Sequence, residues 1–225
     1  MDGSSGDTRT KRRRSSIEDR RTEVVDTAAQ LFRRKGYALT TMEDIAEVIG
    51  IAKPTLYHYF NSKEAILALI HRRINDVLHG RWESRAALGL TSEQALFEMI
   101  VDILELSESH PDHQRVWVEH YRELPPEELE RRDDSTSLYV SRMSDAVQRC
   151  IADGIFRSDL DVVLTTRQIT GMCTWAYDWL PDKVGYRARD VAFVFWGNLT
   201  NGLNVSPTPP DAGYSVRDFE QRPSV

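Results

Sequence analysis

The chain has 225 residues, of which 40% are hydrophobic and 28% charged, with 29 Lys+Arg against 35 Asp+Glu and a formal net charge of −6. That composition excludes a disordered or fibrous chain and is long enough to bury a sizeable core. No apolar run approaches the roughly 20 residues a membrane-spanning helix needs, and the N-terminal MDGSSGDTRTKRRRSS has no apolar stretch behind its basic cluster, so it does not read as a signal peptide.

Charge is unevenly spread. Residues 1–80 hold 14 Lys+Arg against 11 Asp+Glu, whereas residues 81–225 hold 15 against 24. A basic front on an acidic body points to an anionic partner for the N-terminal part, although the run 9-RTKRRR-14 supplies much of the surplus. Residues 1–16 are expected to be a disordered basic arm. Helical periodicity then dominates, with no alternating strand pattern, and the expected fold class is all-α. Ser16 and Asp19 resemble a helix-opening cap, followed by Val24, Ala28, Leu31 and Phe32 on one face and Lys35-Gly36 as a stop. Thr41 or Thr40 caps a short helix, MEDIAEVI, whose Ile45, Ala46 and Ile49 point inward. Gly50 allows a tight turn. A third helix starts near Lys53-Pro54, with proline in the first turn where its missing N–H costs nothing. Asn61 and Glu64 fit a capping box for a fourth helix over 63–80. Further helices are expected at 91–109, 112–123, 126–153, 160–180 and 187–203, and 206–225 is expected to be a flexible tail.

Wound as a helix, 53–60 places Leu56 and Phe60 on one side and Pro54, Thr55, His58 and Tyr59 on the other, with Lys53 and Tyr57 on the flanks. The outer face carries hydroxyls, an imidazole and a cation but no carboxylate, which suits phosphate oxygens and base edges. Two short helices joined at Gly50, the second exposed and polar, have the plan of a helix-turn-helix, whose second helix enters the major groove of double-stranded DNA. A fresh helix N-terminus at Lys63 adds an anion site with a full charge. Tyr57 and Tyr59 could instead pack between helices.

The segment TAAQLFRRKGYALTTMEDIAEVIGIAKPTLYHYFNSKEAIL (27–67) resembles the DNA-binding domain of the tetracycline-repressor (TetR) family of bacterial regulators. The resemblance rests on aliphatic-Phe before Gly36, Thr-Thr before an Ile-Ala helix, Gly50, and Thr-Leu-Tyr-x-Tyr-Phe-x-Ser-Lys-Glu. It implies a helix-turn-helix domain over 17–80 joined to a helical effector-binding and dimerisation domain over 81–205. By position, it implies that Thr41 caps the second helix and can touch phosphate. Lys53, Pro54, Thr55 and Tyr57 would line the groove, Tyr59 and Lys63 would hold phosphates, and His58 sits where a bulky phosphate-contacting residue is common. Glu43 departs from members that carry a base-reading arginine there; it could accept from a cytosine amino group.

The stretch 153-DGIFRSDLDVVLTTRQITGMCTWAYDWLPDK-183 resembles the subgroup of TetR-type repressors linked to fatty-acid, steroid and acyl-CoA catabolism. Arg167, Met172, Trp175 and Trp179 are the candidate effector-binding residues, with an aromatic core or dimer contact as the other reading of the tryptophans. The last two helices are the family's usual homodimer face, with Val191, Val194, Phe195, Asn198 and Gly202 as its stripe here. The expected function is a small-molecule-responsive repressor released from a palindromic operator, in the cytoplasm, without cofactor, metal or membrane partner. The alternatives are a multidrug-type sensor and, from a different class, a helical enzyme or interaction module. No Gly-rich phosphate loop, GxSxG or HExxH motif appears. His110-Pro-Asp-His113 reads as a polar turn rather than a metal site, and the lone cysteines Cys150 and Cys173 read as buried thiols rather than a disulfide.

Overall fold

The computed structural model describes residues 5–181 and 185–201, without the side chains of 5–16. All regular elements among the described residues are helices: α1 (Ser5–Lys35), α2 (Met42–Ile49), α3 (Lys53–Tyr59), α4 (Lys63–Ala86), α5 (Ser92–Ser109), α6 (Pro111–Glu119), α7 (Pro126–Ala152), α8 (Val162–Thr174), α9 (Ala176–Trp179) and α10 (Ala188–Asn201), with a single 3-10 turn at Tyr121–Glu123. The all-α expectation is met. Several boundaries differ, and the helix expected over 112–123 gives way to the 3-10 turn after Glu119. α1 begins at Ser5, so Ser16 lies inside it and residues 5–16 extend the helix rather than precede it. α4 runs on to Ala86. Its N-cap is Ser62, whose hydroxyl accepts from the Ala65 N–H at 3.2 Å, in place of Asn61. The helix expected over 160–180 stops at Thr174 and restarts at Ala176. Gly202 and the 206–225 tail lie outside the described residues.

Two apolar cores form. The first gathers Val24, Ala28 and Phe32 of α1, Ile45 of α2, Leu56 of α3, Phe60, and Ile66, Leu67 and Ile70 of α4. It also takes Val116 from α6 and Leu124 from beyond the 3-10 turn, both from far along the chain. The second is built around α5. Its Met99, Ile100, Val101, Ile103, Leu104 and Leu106 are all buried, so apolar residues cover the helix on several sides and it must lie in the interior. Ile74 and Leu78 of α4, Met143 and Val147 of α7, Ile169 and Cys173 of α8 and Val191 of α10 pack around it. α4 thus crosses from one core to the other: Ile66 and Ile70 sit in the first, Ile74 and Leu78 in the second.

A helix this deep still carries Asp102, 1% exposed. Arg85 of α4 pairs with its carboxylate, and Arg81 donates to the Asp102 carbonyl at 3.1 Å. Buried charge survives only with such partners. α10 lies along α5 through Phe97 and Phe193, 4.9 Å apart, and an Arg189–Glu98 bond of 2.6 Å. Of the stripe expected at the dimer face, Val191 and Phe195 turn toward this core, whereas Val194 (61% exposed) and Asn198 face outward. Cys150 and Cys173 are free and buried, and burial raises the Cys173 thiol to about 12.

Candidate DNA-reading surface and effector chamber

The turn between α2 and α3 is set by two local devices. Thr41 accepts from the Asp44 N–H at 3.1 Å while the Asp44 carboxylate accepts from the Thr41 N–H at 2.7 Å, a reciprocal cap. Lys35 donates to the same carboxylate at 2.8 Å. This bond first, then those from Thr41, holds the Asp44 carboxyl down at about 2. At the other end Gly50 has φ 74°, a left-handed conformation, and its N–H reaches the carbonyls of Ala46 and Glu47. α3 then starts with Pro54 in its first turn.

Leu56 (0%) and Phe60 (3%) are buried, and Lys53, Pro54, Thr55, Tyr57 and His58 are exposed. Thr41 is exposed beside them, and Tyr59 is half-buried with its ring edge-on to His58 at 5.9 Å. Arg21 of α1 fastens the far end of α3. It donates to the Tyr59 carbonyl at 2.7 Å and lies over the Phe60 ring at 4.4 Å. Sequence reasoning missed Arg21, whose target carbonyl is 38 residues away.

Two charge contacts bear on this face. α3 itself carries no carboxylate, but Glu43 of α2 reaches across and pairs with Lys53. Lys63 is engaged within the chain. It donates to the carbonyls of Tyr37 at 2.7 Å and Thr40 at 2.9 Å and sits 4.2 Å over the Tyr37 ring. Those carbonyls close the α1–α2 connection, so the charge at the start of α4 serves as a clamp on the preceding turn.

In the second core, a small chamber of about 40 Å³ lies between α4, α5, α6, α7 and α8. Ile74, Leu78, Ile103, Leu106 and Tyr139 make it apolar. Its polar groups are mostly occupied. Trp117 Nε1 donates to Asn75 Oδ1 at 3.2 Å, and His79 bonds Ser135 Oγ at 2.9 Å while Arg142 meets its other nitrogen at 2.8 Å. The Thr136 hydroxyl is buried without a partner. An open groove of about 740 Å³ runs between α7 and α8. Thr136, Val140, Thr170 and Thr174 line both spaces.

None of the four expected effector residues lines the chamber. Arg167 is exposed on the groove. Met172 and Trp179 pack at the edge of the second core, and Trp175 is 61% exposed. Trp175 is the joint where α8 ends and α9 begins, and it turns outward while Trp179 packs on the core. The signal for the chamber was present on α4. His71, Asn75 and His79 recur every four residues beside the apolar Ile70, Ile74 and Leu78, a polar line on an inward face. Among the described residues no three His, Cys, Asp or Glu gather where a metal could sit. His113 faces Asp26 at 3.2 Å, a contact between α6 and α1.

An exposed short helix, held by a left-handed glycine turn and backed by a helix shared with a larger helical domain, defines a helix-turn-helix DNA-binding regulator. The model for bacterial regulatory proteins of the tetR family matches residues 24–70, and that for the tetracyclin repressor-like C-terminal domain matches residues 89–203. The HTH-type transcriptional repressor KstR2 of Rhodococcus jostii (strain RHA1) is 32% identical over 194 residues, covering 84% of this chain and 93% of its own. KstR2 of Mycolicibacterium smegmatis is 32% identical over 201 residues, covering 85% and 94%. The solved structure of the ketosteroid transcriptional regulator KstR2 of Mycobacterium tuberculosis superposes with a TM-score of 0.76 at 26% identity, covering 81% of this chain and 94% of that one. The chain belongs to the tetR family of bacterial transcriptional regulators.

Proposed function

We propose that the chain is a repressor, acting as a homodimer in the cytoplasm, that leaves a palindromic operator when a lipid- or steroid-derived thioester enters its second core. Lys53, Pro54, Thr55, Tyr57 and His58 meet the groove, and Thr41 and Tyr59 meet phosphates. Lys63 acts on DNA through the turn it clamps. In this reading the protein has no catalytic cycle of its own. Val194 and Asn198 on α10, with Leu164 (65% exposed) on α8 and Trp175 just after it, supply the outward residues for pairing two copies. The similarity to KstR2 repressors, one of them named a ketosteroid regulator, supports the effector class.

The chamber's size carries the mechanism. A space of about 40 Å³ is far smaller than the roughly 300–1,000 Å³ of a typical ligand site, so any effector must part the helices around it. One of them is α4, which also packs in the core beneath α3. Ligand therefore favours a second arrangement of α4, and only that differential affinity can move the reading heads off their operator spacing. The α7–α8 groove is the entrance, and Arg167 on it steers the incoming anionic thioester. The test is to titrate acyl- and steroid-derived CoA thioesters, with free CoA as control, against the protein on promoter DNA. Tryptophan fluorescence and DNA release should change together. Release by an unrelated drug-like compound, with no response to any thioester, would make this a multidrug-type sensor instead.

A further inference from the structure

A crevice of about 210 Å³ lies between α4 and the first half of α7, separate from the α7–α8 groove. His71 of α4 lines it and is only 2% exposed, yet neither ring nitrogen has a hydrogen-bond partner. Arg132 of α7 lines it too, with a buried Nε–H that is also unpartnered. Buried polar groups are ordinarily bonded, so two such groups on one crevice mark a place for a polar partner. Arg132 can only donate, and a neutral imidazole keeps one N–H beside its acceptor nitrogen, so two buried donors in the crevice lack an acceptor.

Charge points the same way. Arg131 donates to Glu128 at 2.7 Å, and Arg72 donates to that carboxylate through Nε at 3.1 Å. Two guanidinium groups therefore share one acid. The Arg132 guanidinium is stacked over Trp117 at 4.5 Å and Tyr121 at 4.7 Å, with the exposed Asp133 as its ion partner at 2.9 Å. Asp76 is the other carboxylate on the lining. Three guanidinium groups thus line the space against two carboxylates. Burial, then Arg132 and His120, hold the His71 imidazole down at about 3, so it is neutral near pH 7 and free to donate from one nitrogen.

We infer that this crevice is an oxyanion subsite, in which a carboxylate or phosphate accepts from His71 and from Arg132 Nε and is neutralised by Arg72 and Arg131. The inference rests on the effector reading in one respect. Asn75 lines both crevice and chamber, and Trp117, which bonds Asn75, carries Arg132 on its ring. An anion held here ties α7 to α4 beside the chamber wall. Its source is either the charged end of an effector whose apolar end fills the chamber, or a free phosphate.

Four probes separate these cases on the full-length protein: inorganic phosphate, decanoyl-CoA, free CoA and uncharged decanol. The readout is the His71 ring signal in long-range proton–nitrogen NMR spectra, with tryptophan fluorescence for binding. Phosphate or decanoyl-CoA should shift the His71 signal, whereas decanol should bind without engaging it as an anion does. The variant Arg72→Ala/Arg131→Ala leaves Glu128 unopposed and should weaken the anions by at least about tenfold while sparing decanol. Both arginines are at least half exposed, so folding should survive. Arg131→Gln alone serves if it does not, and Arg157→Ala, exposed and away from the crevice, is the control. A His71 shift with decanoyl-CoA but not with phosphate or free CoA assigns the anion to the effector. A shift with phosphate but no decanol binding keeps the subsite and removes the chamber. An unmoved His71 signal with every anion, and wild-type affinity in the double variant, would mean that the crevice holds only water.

Discussion

On the DNA-reading side the ion pairs at the turn stand in solvent. Lys53 and Glu43 are each about half exposed, and Lys35 and Asp44 remain accessible. Around α5 the opposite holds: Asp102 is 1% exposed and His71 on the adjoining α4 only 2%. Exposed pairs contribute little to stability and are screened by salt, so their partners can be exchanged for phosphates at small cost. Buried ones hold a particular packing in place and respond only when helices move. One region answers to ionic strength and the other to movement of its helices.

The contrast breaks most visibly at Asp102. Asp102→Ala should leave Arg85 without its buried partner and lower unfolding stability by about 3–5 kcal/mol in a denaturant titration. A cost below 1 kcal/mol, the range of exposed pairs, would erase the contrast. The pH dependence sharpens it. Burial pushes this carboxyl from 3.8 up to about 6, against the pull of Arg85 and Arg81. The folded state therefore holds the proton more tightly than the unfolded chain. Its contribution is fully present below about pH 4 and lost as pH rises through about 6. The stability difference between wild type and Asp102→Asn should decline over that window and then stay level.

Lys63→Ala comes next, because Lys63 is charged yet half-buried. Losing its two charge-assisted bonds should destabilise the protein by about 1.5–3 kcal/mol. The salt slope of DNA binding, measured well below the melting temperature, should not change. A slope flatter by about one unit would return Lys63 to the phosphate contacts.

Glu43→Gln tests the exposed side and has the smallest expected effect. It frees Lys53 for a phosphate, so affinity for random duplex should rise and the salt slope should steepen by about 0.9. An unaltered slope would show that Lys53 makes no phosphate contact even when released.

How much of this was legible follows the same division. Leu56 and Phe60 lie four apart, Thr41 caps three residues ahead, and Gly50 supplies its own turn, so short-range pattern located the reading helix. The bonds of Lys63 were not legible, because its carbonyl partners lie 23 and 26 residues back. Glu43 was flagged for its charge, but its pairing with Lys53 needs the turn's geometry. The chamber joins Ile74, Ile103, Tyr139 and Thr170, which no window of sequence brings together. Trp175 and Trp179 differ in exposure, and the joint between α8 and α9 that falls at Trp175 leaves no mark in the helical periodicity.

Val116 and Leu124, fully or almost fully buried, close the core that α1 to α4 begin. The reading head is consequently not portable. A fragment cut near residue 80 would expose the apolar places those two side chains fill. A chimera that joins this head to another regulator's effector half inherits a foreign α6 at the seam. Such a graft succeeds only where the incoming segment offers residues of matching volume, which makes Val116 and Leu124 the positions to carry across with the head.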